Sequence, residues 1–275
     1  MFIISYYLFF AIYTILFGHL FQLDFSNLSN PWLYVLSIIA LVLGAVISLI
    51  TQIMATHIVG LLRENKEYSN KFNHKWANSL FRLGLHLMRV KMIVSGRENI
   101  PKNDFVVVGN HQENWDALIV KPIFKDHAVS FIAKEALSKL PVFGRWIALL
   151  GGVWISKTAD RSAAESIIKA IKNYKSGMSM GVFPEGKRDF GNEMIEFKPG
   201  AFKLAMKPKA DILIFAQYDT CTIFKKFPWK RYRVYVHVLP LLPYEEYKDM
   251  KSQELSVMVK GRIQKQLDLF KEQVK

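Results

Sequence analysis

Two side chains that could cooperate in proton transfer, those of His111 and Asp116, lie five positions apart in the sequence. His111 follows an apolar run, Phe105 to Val108, that is typical of a buried strand ending in a turn. A histidine at the exit of a strand lies at the edge of a sheet, where side chains converge on a ligand. A nearby carboxylate fixes the tautomer of an imidazole and stabilises its charged form. We interpret the pair as a general base with its orienting acid, although two unrelated residues of a surface loop would give the same pattern.

A second polar loop, Phe183-Pro-Glu-Gly-Lys-Arg188, follows another predicted strand, Met178 to Phe183. Gly186 lets the backbone approach a ligand closely, and the guanidinium of Arg188 offers a planar fork that suits a phosphate. Such charged runs are usually solvated loops. Two polar loops at the same predicted edge of a sheet make a ligand site the better interpretation.

Two familiar motifs in the same stretch do not fit their usual context. Gly177-Met-Ser-Met-Gly181 matches the nucleophile turn of hydrolases, but a predicted helix precedes it and a strand follows, which is the reverse of what that motif needs. Gly181 to Lys187 has P-loop spacing, yet Arg188 stands where the magnesium-binding Ser or Thr belongs. We assign neither motif a function.

Together, His111-x-x-x-x-Asp116 and the Phe183–Arg188 loop resemble the glycerolipid acyltransferase family with the HxxxxD motif, over about residues 96–217. Further segments resemble the same family at the expected positions. They are Phe131-Ile-Ala-Lys-Glu-Ala-Leu137, Gly151-Gly-Val-Trp-Ile-Ser-Lys157 and Lys198-Pro-Gly-Ala201.

The resemblance implies acyl transfer from a thioester, either acyl-CoA or acyl-carrier protein, to the free hydroxyl of 1-acylglycerol 3-phosphate, giving phosphatidic acid. His111 would take the hydroxyl proton, Asp116 would hold the imidazole, and Glu185 would complete the catalytic set by positioning the site. Backbone amides near Gly186 would be candidates for stabilising the oxyanion. No protein nucleophile, metal or cofactor is expected.

The resemblance also implies a set of residues that bind the substrate phosphate. The sequence departs from the family pattern in two places. Lys157 replaces the usual arginine and loses its bidentate fork, although Arg161 could substitute for phosphate binding. Residues 212–216 lack the usual proline, so acyl-chain preference does not carry over. The expected substrate-binding residues are Lys134, Lys157, Gly186, Arg188 and Lys198.

Predicted strands and helices alternate along the chain. This pattern predicts an α/β fold with a mostly parallel sheet flanked by helices, preceded by an N-terminal hydrophobic helical hairpin. We expect a membrane hairpin at residues 1–62, a linking amphipathic helix at 63–90 and an acyltransferase domain at 91–275. Tyr232 to Leu239 is predicted to be an edge strand, and Ser252 to Phe270 a closing amphipathic helix. The predicted apolar face of the linking helix comprises Phe72, Trp76, Leu80, Leu83 and Leu87.

Phe2 to Leu23 and Trp32 to Met54 are apolar stretches long enough to span a bilayer. Arg63 and other basic residues follow them, whereas the turn between them has none. The positive-inside rule then predicts a location in the cell membrane with the catalytic domain on the cytoplasmic side. A re-entrant or surface-lying hairpin is the alternative, because polar residues such as Gln52 are poorly tolerated at depth.

The chain has 275 residues and a net charge of +14, and all of its Lys and Arg residues lie from Arg63 onward. Such a charged block is attracted to anionic lipid, nucleic acid or a phosphorylated substrate. The basic and aromatic cluster Lys225 to Tyr232 also suits a membrane surface. The hairpin favours membrane lipid, and no nucleic-acid partner is expected. The single cysteine, Cys221, excludes an internal disulfide and a cysteine-based zinc cluster.

Alternatives within the same fold remain open from sequence. The acceptor could be another lysophospholipid or glycerol 3-phosphate, or the chain could be a lipid-binding protein without catalysis. The presence of His111, Asp116 and Glu185 argues against the last of these. A membrane-tethered nucleic-acid binder would need a recognition module, and the sequence shows none.

Overall fold

The computed structural model describes residues 1–156, 160–188, 191–223, 225 and 230–274. The chain divides into two compact units, Met1–Asn65 and Lys66–Lys275.

The first unit is a pair of apolar helices, α1 (Phe2–Leu20) and α2 (Pro31–Leu62). Pro31 opens α2, and the side chain of Asn30 caps it by accepting from the backbone N–H of Trp32 at 3.1 Å. Both helices are long and apolar enough to cross a membrane, which is consistent with membrane association. α2 runs eight residues beyond the predicted end at Met54. Apart from Leu33, the buried residues of α2 are mostly small ones at four-residue spacing: Ala40, Gly44, Ser48, Gln52, Thr56 and Gly60.

The second unit is built on a sheet of seven strands in its described residues, in the order β1-β7-β6-β2-β5-β3-β4. The strands are β1 (Val90–Ser95), β2 (Val106–Gly109), β3 (Val129–Lys134), β4 (Val153–Ile155), β5 (Ser179–Val182), β6 (Ile212–Tyr218) and β7 (Tyr232–Val238). The helices are α3 (Lys71–Leu87), α4 (Asp116–Val120), α5 (Pro141–Leu149), α6 (Asp160–Lys175), α7 (Lys203–Met206), α8 (Tyr244–Tyr247) and α9 (Ser252–Val274).

The sheet is mostly parallel, as predicted, with one antiparallel pair between β6 and β7. The prediction that Tyr232 to Leu239 forms an edge strand is wrong, because β7 lies between β1 and β6. Its alternation has another cause: Tyr232 and Val234 are buried on one face, while Arg233 on the other face is exposed. An internal strand alternates in this way where one face of the sheet is fully covered and the other only in part, here by α9 through the contact of Phe270 with Tyr235.

Helices cover both faces of the centre of the sheet. Val106 and Val108 of β2 join a core cluster with residues of α6 and α9, whereas Val107 joins a second cluster with residues of α3 and α4. This alternation follows from the two-residue period of a strand. The predicted face of the closing helix is confirmed, since Leu255, Val259, Ile263 and Leu267 are all buried.

The buried face of α3 is more polar than its apolar spacing predicted. Phe72 is 45% exposed, while His74 is buried. The Nε2 of His74 bonds the carbonyl of Tyr68 at 2.8 Å, and Lys121 donates to Nδ1 of His74 at 2.9 Å and to the carbonyl of Val129. Burial lowers the pKa of Lys121 to about 7, and burial with the neighbouring Lys121 lowers the pKa of His74 to about 3. These bonds make a polar face tolerable against the sheet.

Candidate active site

The two polar loops identified in the sequence lie side by side. β2 and β5 are parallel neighbours, with Val108 paired to Val182, so their carboxyl ends reach the same edge of the sheet. The His111 loop leaves β2 there, and the Phe183–Arg188 loop leaves β5. β3 ends at Lys134 along the same edge, because it is parallel to β5. The predicted meeting of these loops is therefore present in the structure.

His111 and Asp116 form a hydrogen-bonded pair. The Nδ1 of His111 lies 2.7 Å from Oδ2 of Asp116, which is fully buried, whereas the imidazole is 14% exposed. Oδ2 also accepts the backbone N–H groups of Gln112 at 2.6 Å and Glu113 at 2.8 Å. A carboxylate oxygen in this position is an acceptor, so Nδ1 carries the proton and Nε2 has a free lone pair. Among the described residues, none hydrogen-bonds Nε2.

A hydroxyl group holds the other oxygen of the Asp116 carboxylate. The Oγ1 of Thr220 lies 2.7 Å from Oδ1 of Asp116 and 2.8 Å from Oε1 of Gln112. Gln112 Oε1 already accepts the backbone N–H of Thr220 at 2.9 Å, and a charged acceptor forms the stronger bond. We therefore assign the single hydroxyl proton of Thr220 to Asp116. Both carboxylate oxygens are then satisfied, and the side chain has no freedom to turn.

Glu185 contacts the backbone of His111 rather than its ring. Its Oε1 accepts the N–H of His111 at 2.7 Å, and its Oε2 accepts the N–H of Ile195 at 3.2 Å. The carboxylate is only 2% exposed. Glu185 thus joins the loop after β2 to the segment that follows the Phe183–Arg188 loop. This geometry fits the positioning part of its predicted role.

An aromatic stack fixes the plane of the His111 ring. Phe183 lies parallel to the imidazole, with 4.4 Å between ring centroids and 18° between planes. Phe131 stacks on the other side of Phe183 at 5.5 Å, and Phe215 meets it edge-on at 6.1 Å. The ring is held by packing as well as by Asp116, so Nε2 points in a defined direction.

The residues predicted to bind phosphate are partly brought together. A Cβ added to Gly186 would lie 3.2 Å from Nζ of Lys198, and the N–H of Lys198 bonds the carbonyl of Pro184 at 2.8 Å. Arg188 forms an ion pair with Glu113 of the His111 loop at 3.6 Å. Lys134 lies half-buried at the end of β3. Lys157 and residues 226–229 of the predicted basic and aromatic cluster lie outside the described residues.

The surroundings of the Gly186 amide exclude it as an oxyanion donor, and those of Ser179 and Cys221 give neither side chain a part in the chemistry. The N–H of Gly186 donates to the carbonyl of Phe183 at 3.1 Å, so this amide is not available to an oxyanion. Ser179 is buried at the start of β5, where its Oγ accepts the N–H of Phe105 at 3.2 Å. Burial raises the pKa of the Cys221 thiol, which makes it a poor nucleophile. In the described residues, no cluster of His, Cys, Asp and Glu could hold a metal ion.

Sequence reasoning missed the supports behind the dyad. Gln112 donates to Asn192 Oδ1 at 2.8 Å, and Asn192 in turn bonds Asp219, next to Thr220. These residues come from loops after three different strands. The polar run of Gln112 and Glu113 beside His111 was visible in the sequence, but its partners about 80 and 108 positions away were not.

Comparisons with known proteins match the chain to acyltransferases. A family model described as "Acyltransferase" matches residues 91–219. A 1-acyl-sn-glycerol-3-phosphate acyltransferase of Borreliella burgdorferi is 33% identical over 193 residues, which cover 69% of this chain and 77% of that protein. One of Saccharomyces cerevisiae is 32% identical over 133 residues, covering 47% and 44%. The crystal structure of the 1-acyl-sn-glycerophosphate acyltransferase PlsC of Thermotoga maritima shares the fold, with a TM-score of 0.64 over 78% of this chain and 87% of that one, at 23% identity.

Proposed function

The chain belongs to the 1-acyl-sn-glycerol-3-phosphate acyltransferase family, and we propose that the His111–Asp116 site transfers an acyl group from an acyl thioester to the free hydroxyl of 1-acyl-sn-glycerol 3-phosphate, forming phosphatidic acid. One observation carries the proposal. A histidine whose Nδ1 is bonded to a buried carboxylate presents an accepting Nε2 at the open edge of the sheet. This is the arrangement that a general base for an alcohol requires.

The reaction needs one proton transfer to His111 and one proton transfer from it. Nε2 of His111 takes the proton of the acceptor hydroxyl while its oxygen attacks the thioester carbonyl. The tetrahedral intermediate collapses, the carbon–sulfur bond breaks, and the imidazolium returns the proton to the leaving thiolate. Asp116 stabilises the imidazolium through Nδ1 and prevents the ring from turning. The enzyme forms no covalent intermediate in this scheme.

The acceptor phosphate is assigned to the side of His111 where β5 and β3 end. Lys198 lies next to Gly186, and Arg188 is tied to the His111 loop through Glu113. Lys134 at the end of β3 and Lys157 complete the proposed set. Two or more of these cations would balance a phosphate whose position relative to Nε2 must be fixed for the hydroxyl to be deprotonated.

The acyl donor is either acyl-CoA or acyl-carrier protein, and we propose that the catalytic unit works on the cytoplasmic side of the cell membrane. The absence of Lys and Arg before Arg63 supports this orientation, because the charged block follows both apolar helices. The apolar helices also support the meeting of a soluble donor with a lipid acceptor at the membrane surface.

The direct test is acyl transfer by the full chain, with a labelled acyl thioester and 1-acyl-sn-glycerol 3-phosphate in mixed micelles. General base catalysis contributes about 10²–10⁴-fold, so His111→Ala should lower kcat by that factor. The matched control is His86→Ala, which removes an exposed histidine of α3 and should leave kcat unchanged. Equal rates for the parent and His111→Ala would remove His111 from the mechanism. No transfer by the parent from either donor to any lysolipid or glycerol 3-phosphate would refute the proposed function.

A further inference from the structure

The outer strand on the side of the sheet away from β4, which is β1, and its neighbour β7 carry an exposed group of basic side chains. Lys91 of β1 and Arg233 of β7 are paired in register and are both exposed. Arg89 and Arg231, one position before each strand, are exposed as well. We call these four residues the β1–β7 basic patch. Within the described part of the chain, neither Lys91 nor Arg233 forms an ion pair.

Folding does not explain why these charges are adjacent. Paired residues of neighbouring strands point to the same face, and like charges directly opposite each other destabilise a sheet. The sequence keeps this unfavourable pair at Lys91 and Arg233, on the face where α9 reaches Tyr235 but leaves both cations exposed. A concentrated positive potential in this place attracts an anionic ligand.

The backbone of the patch lies at the same carboxyl edge of the sheet as His111, but the two sets of side chains lie on opposite faces. Lys91 and Arg233 are on the face that α9 packs against, whereas His111 stacks on Phe183, which belongs to the cluster of the other face. β7 runs antiparallel to β6, and β1 runs parallel to β7, so the first residues of β1 and β7 lie where β2, β5 and β6 end. Asn110 bonds Gln217, which is paired with Val236, and Arg233 lies three residues beyond Val236. With about 4.8 Å between strands and about 3.3 Å per residue, Arg233 is on the order of 15 Å from His111.

The order of the strands places the base between two positive regions. The described residues proposed to bind the acceptor phosphate are at the end of β3 and in the segment that follows β5, on one side of β2. The β1–β7 basic patch is on the other side, across β6. Both substrates of the proposed reaction are anionic, since a pantetheine thioester is joined through phosphate to its carrier. Two separate cationic regions allow both to reach Nε2 without competing for one site.

We propose that the β1–β7 basic patch binds the anionic carrier portion of the acyl donor, so that the pantetheine arm passes over the carboxyl end of β6 to His111 on the other face of the sheet. This proposal rests on the proposed function. The shared chemistry is a phosphopantetheine thioester, whose negative charge comes from the nucleotide phosphates of coenzyme A or from acidic side chains of a carrier protein. A bilayer surface is the competing occupant, because Arg231 also belongs to the basic and aromatic cluster Lys225 to Tyr232. Against it, Ile93 is the only large apolar residue of β1 and β7 that is substantially exposed, at 39%.

Charge reversal tests the patch in the full chain. With saturating 1-acyl-sn-glycerol 3-phosphate, the double variant Lys91→Glu, Arg233→Glu should raise the KM for the donor by about tenfold and leave kcat within about twofold. The increase should shrink at high salt, where exposed charges are screened. The KM for the acceptor should not change. The matched control is Lys169→Glu, Lys172→Glu, which makes the same charge change on exposed positions of α6. The single variant Lys91→Glu replaces a repulsive pair by an attractive one, so its melting temperature should not fall.

The two donors identify the source of the negative charge. A raised KM for acyl-CoA alone assigns the patch to the nucleotide phosphates, and a raised KM for the acyl-carrier protein alone assigns it to an acidic carrier surface. Unchanged KM values for both donors in an active enzyme would overturn the proposal. The proposal would also be overturned if the double variant kept both donor KM values and lost only its binding to vesicles of anionic lipid. That result would assign the patch to the membrane. Absence of transfer by the parent would instead count against the proposed function itself.

Discussion

The hydroxyl of Thr220 is expected to set the activity of the dyad without touching the reacting atoms. It is fully buried and donates to Oδ1 of Asp116 at 2.7 Å. Thr220→Val removes this hydroxyl and keeps the shape of the side chain. Oδ1 then loses its hydroxyl donor in a site that water does not reach, while Oδ2 keeps the N–H groups of Gln112 and Glu113.

The size of the effect follows from the charge on the acceptor. A hydrogen bond to a charged group is worth about 1.5–3 kcal/mol, so Thr220→Val should lower the free energy of unfolding by about that amount. If about half of this difference appears in the transition state, where Asp116 must hold an imidazolium, kcat falls by about 4- to 13-fold. The KM values for both substrates should stay within about twofold, because Thr220 lies behind Asp116 and not at the open edge.

Steady-state kinetics and thermal unfolding of the same preparations measure both effects. Thr220→Ser keeps the hydroxyl and is the matched control, with an expected kcat within about threefold of the parent. A Thr220→Val enzyme with the parental kcat would show that the backbone N–H groups alone hold Asp116, and the assignment of the Thr220 proton would then be wrong. The assignment would also be contradicted if the fall in kcat only reflected a smaller fraction of folded enzyme and Thr220→Ser lost as much kcat as Thr220→Val.

Two further perturbations follow from the structure. Because burial lowers the pKa of Lys121 from 10.5 to about 7, the unfolded state binds more protons between these values, and the free energy of unfolding should rise with pH there by up to about 1.4 kcal/mol per unit. Lys121→Met should remove this rise in urea unfolding measured from pH 7 to 10, and parallel curves for parent and variant would contradict it. Gly186 has φ +68°, and an added Cβ would press on Lys198, so Gly186→Ala should cost about 1 kcal/mol of stability and raise the KM for the acceptor. The control is Gly200→Ala, because Gly200 has open space around it. Equal KM values for the two variants would refute the role of the Gly186 turn.

The parts of the fold that local sequence signals determine were predictable. The apolar stretches of α1 and α2, the strand before His111 and the apolar face of α9 each show their own periodicity or length. The meeting of the two polar loops was also predictable, because parallel neighbouring strands end at one edge of a sheet. These signals need no knowledge of distant contacts.

The position of β7 and the buried face of α3 depend on partners far away in the sequence. Alternation in β7 does not distinguish an edge strand from an internal strand with one partly covered face. The buried side of α3 is decided by Lys121, which supplies a hydrogen bond to His74 from 47 positions away. Periodicity ranks residues by hydrophobicity alone, so it assigns such a polar pair to solvent.

The different roles of the two carboxylates in this site explain why the two sequence motifs occur together. Asp116 bonds the ring of His111, whereas Glu185 bonds its backbone N–H and also the N–H of Ile195. A carboxylate on the ring affects both the orientation and the charge of the imidazole, but the contact of Glu185 with the amide fixes where the residue stands. General base catalysis needs both, since the base must lie within hydrogen-bond reach of the proton that it removes. Without the buried glutamate, His111 would still be protonated on Nδ1 by its contact with Asp116, but its position would not be fixed. The Pro-Glu-Gly turn fixes that position from the neighbouring strand.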